Sequence, residues 1–266
     1  MAIKVIHLHT FKCAGTTFAL DLAKNFGPKF KCVDPINRSL RFQLEDVEHH
    51  PLLENIEVTS SHTIIPPKSS KDGPMIIGFV REPSSRLLSA WHFYRYQEKL
   101  PEFPFSAYLK RQSKIKNYQS RVFSHQTSSE NDPIKGWELR TDQIVFGREF
   151  FVGVVERYAE SMVVIEFLLG KKGFDFRGDV NTRENTMPIA KVTPDVEIPG
   201  DYVNLDEILY QRCSSLLDAY TQIIPNFAER LLEIQNRIPS QSGHEHRHLL
   251  DKENHLVVDQ LLINSN

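Results

Sequence analysis

The stretch Ile3-Lys4-Val5-Ile6-His7-Leu8-His9-Thr10-Phe11-Lys12-Cys13-Ala14-Gly15-Thr16-Thr17-Phe18-Ala19-Leu20 decides the reading of the fold. Ile3 to Leu8 is short and β-branched and predicts a strand, and a helix is predicted from near Thr16, through Phe18, Leu20, Leu22 and Ala23, to a stop at Gly27-Pro28. The polar turn between them carries Lys12 and the small residues Ala14 and Gly15. Such a turn aims successive backbone N–H groups and the positive end of a helix dipole at one spot, and small side chains let a phosphate approach the main chain. His9 to Thr17 is therefore predicted to be an anion-binding loop.

The alternation continues along the chain. Further strands are predicted at Ile56 to Ser60, at Met75 to Val80, whose apolar run suits burial on both faces of a parallel sheet, and at Phe150 to Val155. Pro83 opens a helix through Leu87, Leu88 and Trp91, and a helix from Tyr158 to Leu169 stops at Gly170. This order predicts an α/β protein of P-loop type: three layers, a central mostly parallel sheet flanked by helices. Helical spacing from Leu205 to Ile238 predicts a helical C-terminal cover. Residues 1–266 read as a single domain, with a ligand-binding core over about 1–200, the helical region over about 201–240 and a polar tail over about 241–266. The polar segment Ser113 to Asp132 is either a lid over a binding site or a solvated excursion.

Composition narrows the function classes. Thirty-two Lys and Arg against 34 Asp and Glu give a net charge of -2, so no global positive excess draws the molecule to nucleic acid or an anionic membrane, and any anion must be held locally. Three cysteines at unrelated spacings argue against a disulfide framework and a zinc site and suit a reducing compartment. No targeting pattern and no run of about eighteen apolar residues is present, which predicts a cytoplasmic protein without a membrane span. His244-Glu245-His246-Arg247-His248 lies in the polar tail with no second ligand cluster, and no metal site is predicted.

A loop for nucleoside triphosphates reads G-x-x-x-x-G-K-[ST], whereas here Lys12 precedes Gly15. The third and fourth predicted strands end in Arg81 and Glu156, so neither offers an Asp for magnesium. The donor is thus expected not to be a triphosphate. A second anion site is read at Val80-Arg81-Glu82-Pro83-Ser84-Ser85-Arg86-Leu87-Leu88-Ser89-Ala90-Trp91, where Arg81 ends a strand and Ser89 lies two turns into the next helix. Either Arg81 and Ser89 face a phosphate monoester, or Arg81 pairs with Glu82 or Glu156 and Ser89 is a small residue at a helix–sheet contact.

Taken together, the two loops resemble the family of sulfotransferases that use 3′-phosphoadenosine 5′-phosphosulfate (PAPS), in particular the heparan sulfate 2-O- and 6-O-sulfotransferase branch and its bacterial relatives. His9, Lys12, Ala14, Gly15, Thr16 and Thr17 match H-I-P-K-T-A-G-T-T, and Arg81, Glu82, Pro83, Arg86, Ser89 and Trp91 match R-[DE]-P-x-x-R-x-x-S-x-[YW]. Thr10-Phe11 and Cys13 depart from the pattern, Cys13 removing a hydroxyl while keeping the backbone donor. The resemblance covers roughly the first two hundred residues at motif level. It implies PAPS as donor and adenosine 3′,5′-bisphosphate (PAP) as product, with Lys12, Cys13, Ala14, Gly15, Thr16 and Thr17 around the 5′-phosphosulfate and Arg81 and Ser89 on the 3′-phosphate. The acceptor it implies is a hydroxyl group of a small molecule or glycan.

Transfer to an alcohol needs a base and positive charge near the leaving phosphate. Lys12 meets the second need. His62, in Ser60-Ser61-His62-Thr63, stands where the enzymes this chain resembles carry a histidine and is the expected base. His7 and His9 share a strand face and read as structural. Asn117-Tyr118-Gln119-Ser120-Arg121 resembles an N-x-Q-[ST]-R segment near the acceptor side of some of these enzymes, and Asn181-Thr182-Arg183, after a candidate strand Phe174 to Phe176, one that approaches the nucleotide. Two rival expectations stand beside this one: a magnesium-dependent P-loop kinase or nucleotide hydrolase, and a non-catalytic nucleotide-binding relative.

Overall fold

A computed structural model describes residues 3–34, 42–43, 53–65, 73–100, 102–111, 115–124, 150–176, 194–238 and 255–257. In chain order its elements are β1 (Val5–Leu8), α1 (Gly15–Phe26), β2 (Phe30–Asp34), β3 (Phe42–Gln43), β4 (Val58–Ser61), β5 (Ile64–Ile65), β6 (Met75–Val80), α2 (Pro83–Gln97), α3 (Phe105–Arg111), α4 (Tyr118–Ser124), β7 (Phe150–Val154), α5 (Tyr158–Leu168), α6 (Asn204–Ile223), α7 (Phe227–Arg237) and β8 (His255–Val257).

Six strands form one sheet in the order β7-β6-β1-β4-β2-β8, and every pairing in it is parallel. β3 and β5 make a separate short parallel pair. From β1 the chain crosses towards one edge of the sheet to reach β2, and from β6 it crosses towards the other edge to reach β7. Parallel crossovers are right-handed, so these two connections lie on opposite faces, giving the expected three-layer α/β arrangement. The direction of winding reverses between β1 and β6, and in such sheets the crevice at that reversal, outside the carboxyl ends of the strands, is where ligands bind.

Every residue of β1, β4 and β7 is buried, as a sheet covered on both faces requires. Helix α1 buries Phe18, Ala19 and Leu22 and also Asp21, whose Oδ2 accepts a 2.7 Å hydrogen bond from the Tyr158 hydroxyl of α5. Burial first and then the Asp21 carboxylate push that phenol well above its ordinary pKa, so it stays a donor. At Gly78 in β6 a Cβ would stand 2.5 Å from the Phe123 ring of α4, and the missing side chain is what lets α4 lie against the sheet there.

Several expectations shift. β2 was not anticipated: it is five residues long, begins two residues after Pro28 and carries Lys31 as its second residue, so no apolar run announces it. The strand expected at Ile56 to Ser60 runs from Val58 to Ser61. Phe174 to Phe176 forms no ladder, because the Phe174 N–H donates to Glu166 Oε1 and its carbonyl accepts from Arg237 Nη1. The C-terminal cover is two helices, broken where Pro225 removes a donor and Asn226 turns left-handed at φ 55. Within Ser113 to Asp132, residues 118–124 form α4 rather than a loop, and residues 113–114 and 125–132 lie outside the described residues, as do Asn181-Thr182-Arg183 and His244 to His248. Among the described residues no helix is long and apolar enough to cross a membrane.

Candidate anion site at the carboxyl edge of the sheet

Three neighbouring strands, β6, β1 and β4, each end in a loop carrying one of the expected groups. Leu8 aligns with Ser61 on one side and with Gly78 on the other, so the Lys12 loop, His62 and the Arg81 loop emerge side by side.

The loop after β1 is tightly wound. The Thr10 N–H donates to the Leu8 carbonyl and the Cys13 N–H to the Thr10 carbonyl, and both Lys12 (φ 65) and Ala14 (φ 55) adopt left-handed backbone. Two non-glycine residues in that region represent local strain that the surrounding packing must hold. Ala14 is the N-cap of α1, and no side chain caps this helix end and no acidic residue stands in its first turn. A helix N-terminus without a side-chain cap or a first-turn acid is the kind that takes an anion. Gly15 is buried, Thr16 exposed and Thr17 buried. A Cβ on Gly15 would stand 1.9 Å from His9 Cδ2, so glycine is needed for the His9 ring to cover the loop. Lys12 is half-buried, its ammonium 4.8 Å from the centroid of Phe93 and 5.9 Å from that of Phe11.

His62 follows β4, and its ring stacks on His9 with centroids 3.8 Å apart. Its Nδ1 lies 2.9 Å from the His9 carbonyl oxygen. A carbonyl only accepts, so Nδ1 carries the proton and Nε2 is the basic nitrogen of the neutral ring. The backbone is fixed from below by Asp34 at the end of β2, whose Oδ1 accepts from the His62 N–H at 2.7 Å and from the Ser61 hydroxyl at 3.0 Å. Asp34 is a strand-terminal carboxylate that the sequence reading missed along with its strand. His7 is buried, hydrogen-bonded through Nδ1 to Ser60 Oγ at 2.9 Å, and is held down to a pKa of about 3 by burial and secondarily by His62.

The loop after β6 differs from the first in kind. Glu82 caps α2, its two carboxylate oxygens accepting from the Ser84 and Ser85 N–H groups, so this helix end is already occupied by its own side chain. Burial alone would raise the Glu82 pKa, but those hydrogen bonds prevail and hold it below the ordinary carboxylate value. Arg81 is the basic residue that stands at the end of β6 here. Its Nε forms an ion pair with Glu156 at 3.9 Å, one of the two pairings open from the sequence, and makes no hydrogen bond. Ser89 is half-buried on α2, and no hydrogen bond joins it to Arg81. Arg86, three residues before Ser89 on α2, is fully buried with its guanidinium 5.0 Å from the centroid of Tyr118.

Gln119 contacts both loops. Its Oε1 accepts from the Arg81 N–H at 2.8 Å and from the Cys13 thiol at 3.2 Å, and its Nε2 donates to the Arg81 carbonyl at 3.0 Å. Burial pushes the Cys13 thiol up to about 12, so it remains a protonated donor. The motif around Gln119 suggested the acceptor side, whereas its side chain is wholly buried between the loops.

No protein-family model matches the chain, and no curated protein matches it. Among solved structures the chain is similar to the crystal structure of mouse sulfotransferase SULT7A1 complexed with PAP, with 16% sequence identity, a TM-score of 0.37 and 88% of each chain covered.

Proposed function

We propose that this chain transfers a sulfuryl group from PAPS to a hydroxyl group of a small molecule or glycan, as one domain spanning residues 1–266. The observation that carries the reading is the side-by-side emergence of the Lys12 loop and the Arg81 loop from neighbouring parallel strands, which offers two separate anion positions, as a 3′,5′-bisphosphate requires. Two features support such a ligand: α1 has an uncapped N-terminus free of first-turn acids, and Arg81 Nε, ion-paired with Glu156 at 3.9 Å, makes no hydrogen bond within the protein.

In this reading the Lys12 ammonium, the backbone from Cys13 to Gly15 and the Thr16 and Thr17 hydroxyls hold the 5′ end, and Arg81 with Ser89 holds the 3′-phosphate. When bound, PAPS supplies an activated sulfuryl group and leaves as PAP. His62 Nε2 accepts the proton of the acceptor hydroxyl, the tautomer being set by the Nδ1–H bond to the His9 carbonyl. Lys12 neutralises charge developing on the departing phosphate. The acceptor oxygen gains the bond to sulfur as the sulfur–phosphate oxygen bond breaks, and the proton passes to His62, so charge and atoms balance.

Calorimetric titration of PAP in EDTA, with ATP as comparison ligand, tests the reading without knowledge of the acceptor. Metal-free PAP binding with little for ATP is expected. Absence of PAP binding, or binding of ATP only with magnesium, would transfer the assignment to a kinase or nucleotide hydrolase.

A further inference from the structure

Gln119 satisfies an unusual set of constraints for a side chain with no exposed surface. Its amide pairs with both the N–H and the C=O of Arg81, as a neighbouring strand would, and its oxygen has a second lone pair that takes the Cys13 thiol. The partners lie 38 and 106 residues away in sequence and belong to the two separate anion loops. Only a primary amide of this length offers a donor and an acceptor to one peptide unit while accepting from a third group. Glutamate would set a second acceptor against the Arg81 carbonyl, and asparagine falls one methylene short.

The support for Gln119 is also built in depth. Its own N–H and that of Ser120 donate to the two oxygens of buried Asp206 at 3.2 and 2.7 Å. Asn117 returns the contact by accepting from the Leu205 N–H at 2.9 Å, so α4 and α6 cap each other. Phe123, seated over Gly78, pins the other end of α4 to β6. Strand β6 itself leads into Arg81, so the element holding Gln119 is registered to the same strand whose terminus Gln119 grips.

We infer that Gln119 is a positioning residue that sets the spacing between the Lys12 loop and the Arg81 loop, and thereby the affinity for a ligand that must engage both. This rests on the bisphosphate reading above. It requires that Gln119 matter more for a ligand carrying 3′- and 5′-phosphates than for one carrying the 5′-phosphate alone, because a ligand held by one loop is indifferent to the distance between them.

The test compares PAP with adenosine 5′-phosphate, by calorimetry or competition in EDTA, on the full chain and on Gln119→Ala. PAP affinity is expected to fall about tenfold or more while affinity for adenosine 5′-phosphate changes less than about threefold, and Arg81→Ala/Gln119→Ala is expected to lose little more PAP affinity than Arg81→Ala alone. Parallel losses for both ligands, an unchanged preference for PAP, or additive losses in the double variant would overturn the inference, since each describes a side chain that only fills space. Gln119→Glu, equal in size, is read by the same ratio should the alanine variant not fold. Failure of the unmodified chain to bind PAP refutes the bisphosphate reading itself, and PAP binding with an unmoved ratio refutes only the role of Gln119.

Discussion

Arg81 and His62 owe their chemical character to what holds their backbones. Both main-chain groups of Arg81 are taken by Gln119, and the His62 N–H is taken by Asp34, so the two side chains project from fixed anchors. Replacing Arg81 by alanine is expected to weaken PAP binding by about 10- to 100-fold, the worth of charge-assisted hydrogen bonds. Adenosine 5′-phosphosulfate, which lacks the 3′-phosphate, should lose little affinity. Equal losses in calorimetry would place Arg81 elsewhere. His62→Ala is expected to slow transfer by about 10²- to 10⁴-fold while leaving PAP affinity intact, the signature of a base rather than a binding group. Lys12→Ala should lower both, because the ammonium is proposed to serve donor binding and the leaving phosphate together. At this scale the sequence was informative about placement, since Lys12, Arg81 and His62 each follow the end of one of three neighbouring strands. It marked Gln119 only as part of a motif near the acceptor side and said nothing of its partners, which are brought to it by the packing of α4 on β6.

Among elements, α4 is the one that joins the Lys12 and Arg81 loops, through Gln119. It is seven residues long, too short to be stable on propensity alone, and it persists because its neighbours complete it. Asp206 satisfies its first N–H groups, Phe123 occupies the space left by Gly78, and Asn117, at φ 45, caps α6 in return. Burial raises the Asp206 pKa despite the N–H groups of Ser120 and Gln119 and the charge of Arg86, the expected consequence of placing a carboxylate in the interior. Asn117→Ala removes the cap and puts at φ 45 a residue that tolerates left-handed backbone less well than asparagine, and is expected to cost about 1–2 kcal/mol in urea denaturation. Asn117→Gly keeps the backbone freedom and loses only the cap, so it should cost less. Equal costs would show that the left-handed backbone contributes nothing. The helical region from Leu205 to Ile238 was legible as helix from its apolar spacing, but its division at Pro225-Asn226 and the reciprocal capping with α4 were not, since periodicity says nothing of partners.

For the molecule as a whole, stability should depend on pH through His7. Its folded pKa of about 3 lies below the ordinary value of 6.5 because the ring is buried in β1, with a smaller contribution from His62. Between those values the unfolded chain binds the proton and the folded one does not, so stability is complete above about pH 6.5 and declines as pH falls towards 3. Denaturation at pH 7.5 and 5.5 should differ by about 1.4 kcal/mol from this residue, and His7→Gln should flatten that difference. An unchanged slope would mean the ring takes its proton within the fold.

The sequence by itself determined the fold class and the order of the loops. Local chemistry suffices for that: apolar runs bury, Pro and Gly mark helix ends, and Lys12 with Ala14-Gly15 stands in the turn between a strand and a helix. Only the tertiary structure decided which loops stand together. The adjacency of β6, β1 and β4, the arrival of β2 with Asp34 beneath His62, and the insertion of Gln119 between the Lys12 and Arg81 loops come from strand order and from packing across more than a hundred residues. Neither leaves a periodic trace along the chain, because a single buried amide or carboxylate carries no pattern until its partners are in place.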